Sequence, residues 1–179
     1  MEYRKGVVIT GKNTMAVSDH CPIPEEPCPT GAFIKPLIWS PCTSDAHLCA
    51  TGCASLPYLL GKAVGHEMCG VITKVGSEVH DFKIGDKVIV CAVMPVWRSL
   101  EAQDGLGKQH QDNMYGGVDF PDRGGRLWMT RMAQLIATGR VAPEKLITHR
   151  YHGMEHIIDA MNLFLNHDRS LIKPVIYND

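Results

Sequence analysis

The spacing of apolar and polar positions changes partway along the chain. Up to about residue 95 the apolar residues come in short, β-branched or alternating runs broken by glycine and proline, which is the pattern of strands and turns. Gly6 to Thr10 (GVVIT) is such a run, and Gly11-Lys12-Asn13 behind it reads as a turn. Pro22 to Gly31 holds four prolines and is expected to be an irregular connection. Ala32 to Trp39 is apolar but contains Pro36, which suits an edge strand or a bulge. Val71 to Val75 and Lys87 to Val93 are strand-like, with turn residues at Gly76 and Gly85-Asp86. Ser99 to Asp122 is polar and glycine-rich and reads as loop.

Beyond that loop the period lengthens. Arg126 to Thr138 carries Leu127, Met132, Leu135 and Ile136 and is followed by Gly139, which predicts a helix with a glycine cap. Leu146 to Tyr151 is a plausible strand. Met154 to Leu165 sets Met154, Ile157, Ile158, Met161, Phe164 and Leu165 on one face, an amphipathic helix. Ile172 to Tyr177 closes the chain as a strand. The expected class is α+β, mostly β, with a small barrel or sandwich and flanking C-terminal helices.

Composition narrows the function classes. Hydrophobic residues make up 45%, charged residues 21%, and the net charge is −1, with Lys and Arg scattered. That argues against a nucleic-acid partner. No apolar run approaches the ~18 residues of a membrane span, and the N-terminus lacks the long apolar segment of a signal peptide. Cytoplasmic residence is the expectation. The seven cysteines are an odd count for a disulfide framework and point instead to metal binding or core packing.

Two segments carry candidate chemistry. In GHEMCGVITKVGSEV, from Gly65 to Val79, His66 and Glu67 stand side by side at a glycine-flanked turn and can face one metal. The plainer reading is a core histidine in a tight turn. Upstream, Pro41-Cys42-Thr43-Ser44-Asp45-Ala46-His47 offers a thiolate, a soft zinc ligand. Ser44 and His47 could pass a proton between a metal-bound alcohol and solvent, and Asp45 could orient a histidine. Helix capping by Thr43 or Ser44, with Asp45 in the first turn, fits the same residues, and both readings can hold together.

Together these segments resemble the zinc-dependent alcohol dehydrogenases. Gly-His-Glu, two residues, Gly, five residues, Gly, two residues, Val runs without a gap from Gly65 to Val79, with Cys-Thr-Ser-Asp-x-His upstream and Gly85-Asp86-Lys87-Val88 downstream. Pro95-Val96-Trp97-Arg98, His110 to Phe120, Gly124 to Leu127, Leu146 to His149 and Leu171 to Val175 are similar to the microbial NADP-dependent secondary alcohol dehydrogenases. The resemblance implies a GroES-like barrel, with Cys42, His66 and Glu67 as metal ligands and Ser44, His47 and Glu67 in the catalytic machinery. It implies zinc and NADP as cofactors, a small secondary alcohol or ketone as substrate, and a homo-oligomer. Residues 1–120 then form the N-terminal part of the catalytic domain and residues 121–179 its C-terminal segment.

The sequence also departs from the family. No Gly-x-Gly-x-x-Gly fingerprint of a Rossmann domain is present: Gly105-Leu106-Gly107 lacks the third glycine. Around Phe120 to Gly124 the chain passes directly from the family's N-terminal half to its C-terminal segment. The cofactor domain and the family's aspartate ligand are thus expected to be missing between them, which leaves open whether the GroES-like barrel is complete or incomplete. Val118 falls where the secondary-alcohol enzymes have a tryptophan near the substrate. Cys49 and Cys53 lack a second pair and read as packing residues rather than a structural zinc site. The leading expectation is a catalytic zinc domain that is inactive alone. The alternative is a non-catalytic zinc-binding or oligomerisation module.

Overall fold

The computed structural model describes residues 2–90 and 126–178. Residues 2–90 and 146–178 belong to one compact unit, and residues 126–145 to another. The first unit opens with a hairpin of β1 (Glu2–Gly11) and β2 (Thr14–Ile23), paired antiparallel from Glu2↔Ile23 to Gly11↔Thr14. Lys12 and Asn13 make the turn that Gly11-Lys12-Asn13 predicts, with Asn13 at φ 56° in the left-handed region that asparagine tolerates. Pro22 to Gly31 is largely irregular after β2 ends, as its prolines require.

A mixed five-stranded sheet follows in the order β5-β4-β3-β7-β6. Its strands are β3 (Ala32–Trp39), β4 (Met68–Val75), β5 (Lys87–Val90), β6 (Ile147–His152) and β7 (Lys173–Tyr177). β6 and β7 run parallel, and the other pairs are antiparallel. The edge-strand reading of β3 is corrected here, because β3 is central, between β4 and β7. The bulge reading holds: the β3–β4 register shifts between Pro36 and Ile38, where proline cannot donate to the ladder.

Helix α1 (Thr43–Thr51) leaves the end of β3 through Ser40 and Pro41. Its N-cap is Cys42, not Thr43 or Ser44. The Asp45 carboxylate accepts from the Cys42 backbone N–H at 3.1 Å, so the acidic residue in the first turn does the capping that a hydroxyl was expected to do. Met154–His156 forms one 3-10 turn before α3 (Ile157–Leu165), because Gly153 at φ 95° separates the helix from β6. The buried face of α3 is Ile157, Ala160 and Met161. With Val7 of β1 and Ile176 of β7, Ile157 and Ala160 form one core cluster; Ile9 with Cys49 of α1 and Cys53 just beyond that helix forms another. Cys49 and Cys53 are therefore packing residues, as expected.

In the second unit, α2 (Arg126–Ala137) ends at Gly139, φ 70°. Gly139 N donates to Ile136 O and Arg140 N to Leu135 O, each at 2.9 Å, the Schellman pattern that the glycine predicts. Met132 and Ile136 are exposed on it. The expected loop from Ser99 to Asp122, the last residues of the Lys87–Val93 strand, and Val118 lie outside the described residues.

Gly76 follows β4 at a point of close backbone approach. Its N–H donates to Gly31 O at 2.8 Å, and a Cβ there would collide with the carbonyl oxygens of Cys28 and Pro29. Backbone cannot yield as a side chain does, so Gly76→Ala is expected to destabilise the fold by about 1–3 kcal/mol in urea unfolding, with an unchanged m-value.

Candidate metal centre

Three chain segments meet at one end of the sheet. β3 ends at Trp39, paired with Met68 at the start of β4, while β7 begins with Lys173 and Pro174 beside the same end. Backbone bonds fix the junction: Ser40 N donates to Glu67 O at 3.0 Å, and Ser40 Oγ donates to Pro174 O at 2.8 Å. Gly65 turns the chain into β4 at φ 111°, a conformation that residues with a Cβ rarely adopt. His66 and Glu67 consequently lie beside Cys42, at the N-terminus of α1.

The donor atoms of Cys42, His66 and Glu67 all lie within 4.8 Å of one another. Among the described residues this is the one group of three or more such side chains close enough to share an ion. Asp45, only 4% exposed, faces His66 Nδ1 across 3.5 Å. Its carboxylate thus holds the imidazole with Nε2 toward Ser44 Oγ, at 3.3 Å. A carboxylate behind one ring nitrogen is the usual support of a metal-binding histidine, fixing its tautomer and raising its basicity.

The donor set fits zinc: a thiolate, an imidazole and a carboxylate, with donors about 3.5 Å apart in a tetrahedral site. Electrostatics in the metal-free chain agree. Asp45 first and Cys42 second push the His66 imidazole up to about 10, and His66 in turn holds the Cys42 thiol below its ordinary value against the opposing effect of burial. His66 thus carries its proton through the neutral range, and the Cys42 thiol is more acidic than an ordinary one. Burial instead pushes the Cys49 and Cys53 thiols up.

Of the residues expected in the site, Cys42, Ser44, His66 and Glu67 come together. His47 does not: it is exposed on α1, and its ring makes no hydrogen bond to Ser44. One participant was missed. Lys173 Nζ is hydrogen-bonded and ion-paired to Glu67 Oε2, both side chains being about one-third exposed. The available signal was Lys173 in Leu171 to Val175, a stretch that resembled the family but had been given no role.

Residues 29–140 match the family profile described as the alcohol dehydrogenase GroES-like domain. The chain is 45% identical over 92 residues to a probable NADP-dependent isopropanol dehydrogenase of Mycoplasma pneumoniae, covering 51% of this chain and 25% of that protein. It is 47% identical over 89 residues to the NADP-dependent isopropanol dehydrogenase of Clostridium beijerinckii, covering 50% of this chain and 24% of that one. The matched stretch is thus about a quarter of each relative. Alcohol dehydrogenase TADH from Thermus sp. ATN1 has the same fold at TM-score 0.77 and 12% identity, over 97% of this chain and 99% of that one. Zinc-dependent alcohol dehydrogenase 2 of Streptococcus pneumonia aligns at TM-score 0.51 and 19% identity, over 91% and 52%.

The lowered pKa of the Cys42 thiol predicts reactivity. In chelated protein at pH 7.5, iodoacetamide is expected to label Cys42 well ahead of buried Cys49 and Cys53, as peptide mapping would show. A lowered thiol pKa means that the rate falls only when pH drops below that lowered value. In His66→Gln, which removes the largest cause, the midpoint of the rate–pH profile is expected to move up toward 9.0.

Proposed function

The chain belongs to the alcohol dehydrogenase GroES-like domain family, and from that premise we propose that it is the zinc-binding catalytic domain of an NADP-dependent secondary alcohol dehydrogenase. The observation that carries this reading is the convergence of Cys42, His66 and Glu67 within 4.8 Å, with Asp45 behind the histidine. When bound, zinc supplies a Lewis acid that polarises an alcohol or carbonyl oxygen.

The chain's own residues then divide the work. Cys42 and His66 hold the metal, and Asp45 keeps the imidazole oriented. Ser44, beside the cluster, accepts the proton of the substrate hydroxyl as its own passes to water; His47, exposed on α1 and not bonded to Ser44, has no place in that step. Glu67 is held back by Lys173 or, once released, serves as a third ligand. Cys42, His66 and Glu67 would be the three residues to hold zinc, a protein ligand number that suits a catalytic rather than a structural site. The substrate class is a small secondary alcohol or ketone, by likeness to the isopropanol dehydrogenases named above.

Hydride transfer also needs a nicotinamide held over the metal, and positioning of that kind is worth ~7–11 kcal/mol. The 179 residues carry no glycine-rich dinucleotide fingerprint. The pure chain is therefore expected to show negligible NADP-dependent oxidation of 2-propanol; measurable turnover by it would show that it binds the cofactor itself. The second reading, a metal-binding or oligomerisation module without redox chemistry, is favoured by the match to only about a quarter of each relative. Under that reading, addition of the chain leaves NADPH fluorescence unchanged.

The deciding experiment is zinc titration by calorimetry. One zinc per chain is expected, with binding lost in Cys42→Ala and in His66→Ala; an unaltered isotherm in either variant would overturn the site. Because His66 carries a proton until about pH 10, zinc must displace it, and affinity is expected to rise with pH across the neutral range. Buffers of different ionisation enthalpy would count the released proton. Lys173→Met is expected to tighten zinc about tenfold by releasing Glu67, and Glu67→Gln to weaken it by a similar factor.

A further inference from the structure

We infer that the chain contains a second ligand site: a cavity for a small, neutral, apolar molecule that is bordered by His66 and Glu67 but not by Cys42. The cavity measures about 180 Å³ and lies within the unit formed by residues 2–90 and 146–178. Val7, Met15, Trp39, Val64 and Met161 supply its apolar walls. Asp45, His66 and Glu67 contribute at the metal-site end, whereas Cys42 and Ser44 are not among its described lining residues. A molecule in this space therefore touches His66 and Glu67 without touching Cys42 or Ser44.

The lining chemistry sets the ligand class. The polar groups at the metal-site end are already committed: Asp45 to Cys42 N and His66, and Glu67 to Lys173. Trp39 Nε1 is sealed from solvent, so the indole offers the cavity carbon rather than a donor. Lys5 is exposed and lies 3.9 Å from Asp19, which puts its ammonium at the mouth. Ser40 Oγ is likewise committed, to Pro174 O, and the Asp45 and Glu67 carboxylates already face His66 and Lys173, so no side-chain charge there is left for an ionic ligand. What remains is shape and dispersion. By size, a space of about 180 Å³ suits a hydrocarbon of about six to eight heavy atoms.

Toluene is the probe, since it has no atom that could ligate a metal. Chelated protein is used, so that the outcome is independent of the zinc reading. A ligand bound only by the native state raises Tm, and at ten times Kd the expected rise is about 3–6 °C. Methyl chemical-shift changes are expected at Val7, Val64, Met15 and Met161, saturating with the same Kd. Val64→Phe fills the space and abolishes both responses. Val64→Leu, a smaller change that keeps the fold if the phenylalanine does not, weakens binding at least fivefold. A parent protein whose Tm does not rise, shifts that map elsewhere, or an undiminished response in folded Val64→Phe or Val64→Leu would overturn the site.

Discussion

A carboxylate taken almost wholly out of water must be held by partners, and the arrangement of the site follows from the partners that Asp45 has. It accepts from the Cys42 backbone N–H, which starts α1 one residue earlier than the hydroxyls would have done, and it faces His66 Nδ1 across 3.5 Å. One side chain thereby joins the helix N-terminus to the turn before β4. Removing it would leave the imidazolium half-buried and the first helical turn uncapped, two losses at a single position. The imidazole that lowers the Cys42 thiol is itself held by this carboxylate.

The second constraint arrives from the far end of the chain. β7 pairs with β3 at only two register positions, Ile38↔Tyr177 and Trp39↔Ile176, yet Ile176 is fully buried and shares a core cluster with Val7 and α3. That packing fixes β7 so that Lys173 meets Glu67. The carboxylate next to the imidazole is thus shared between a lysine and a prospective metal, and the balance between those two partners governs how many protein ligands the metal has. The same core leaves an incompletely filled space beside His66 and Glu67, so metal site and cavity share part of their lining.

Much of the fold was legible in the pattern of residues. The β-branched runs, the Gly11-Lys12-Asn13 turn, the Gly139 cap and the 3.6-residue face of α3 are decided by nearest neighbours along the chain, where backbone sterics and side-chain period act locally. The spacing of Gly65, His66, Glu67, Gly70 and Gly76 likewise announced a metal-capable turn, because the chemistry of donors and the freedom of glycine are properties of the residues themselves.

Contacts between segments distant in sequence were not legible. Pro36 removes one backbone donor, which locally suggests an edge strand; only tertiary pairing with both β4 and β7, absorbed by a bulge, makes β3 central. Whether Thr43, Ser44 or Cys42 caps α1 depended on where Asp45 turned, and that was settled by His66 arriving from another segment. Lys173 and Glu67 stand more than a hundred positions apart, so no local period could pair them. The sequence by itself determined which atoms can bind a metal and which local runs become strands and helices. Tertiary structure decided which of those atoms meet and which carboxylate is already engaged, because burial and long-range register exist only once the chain has closed on itself.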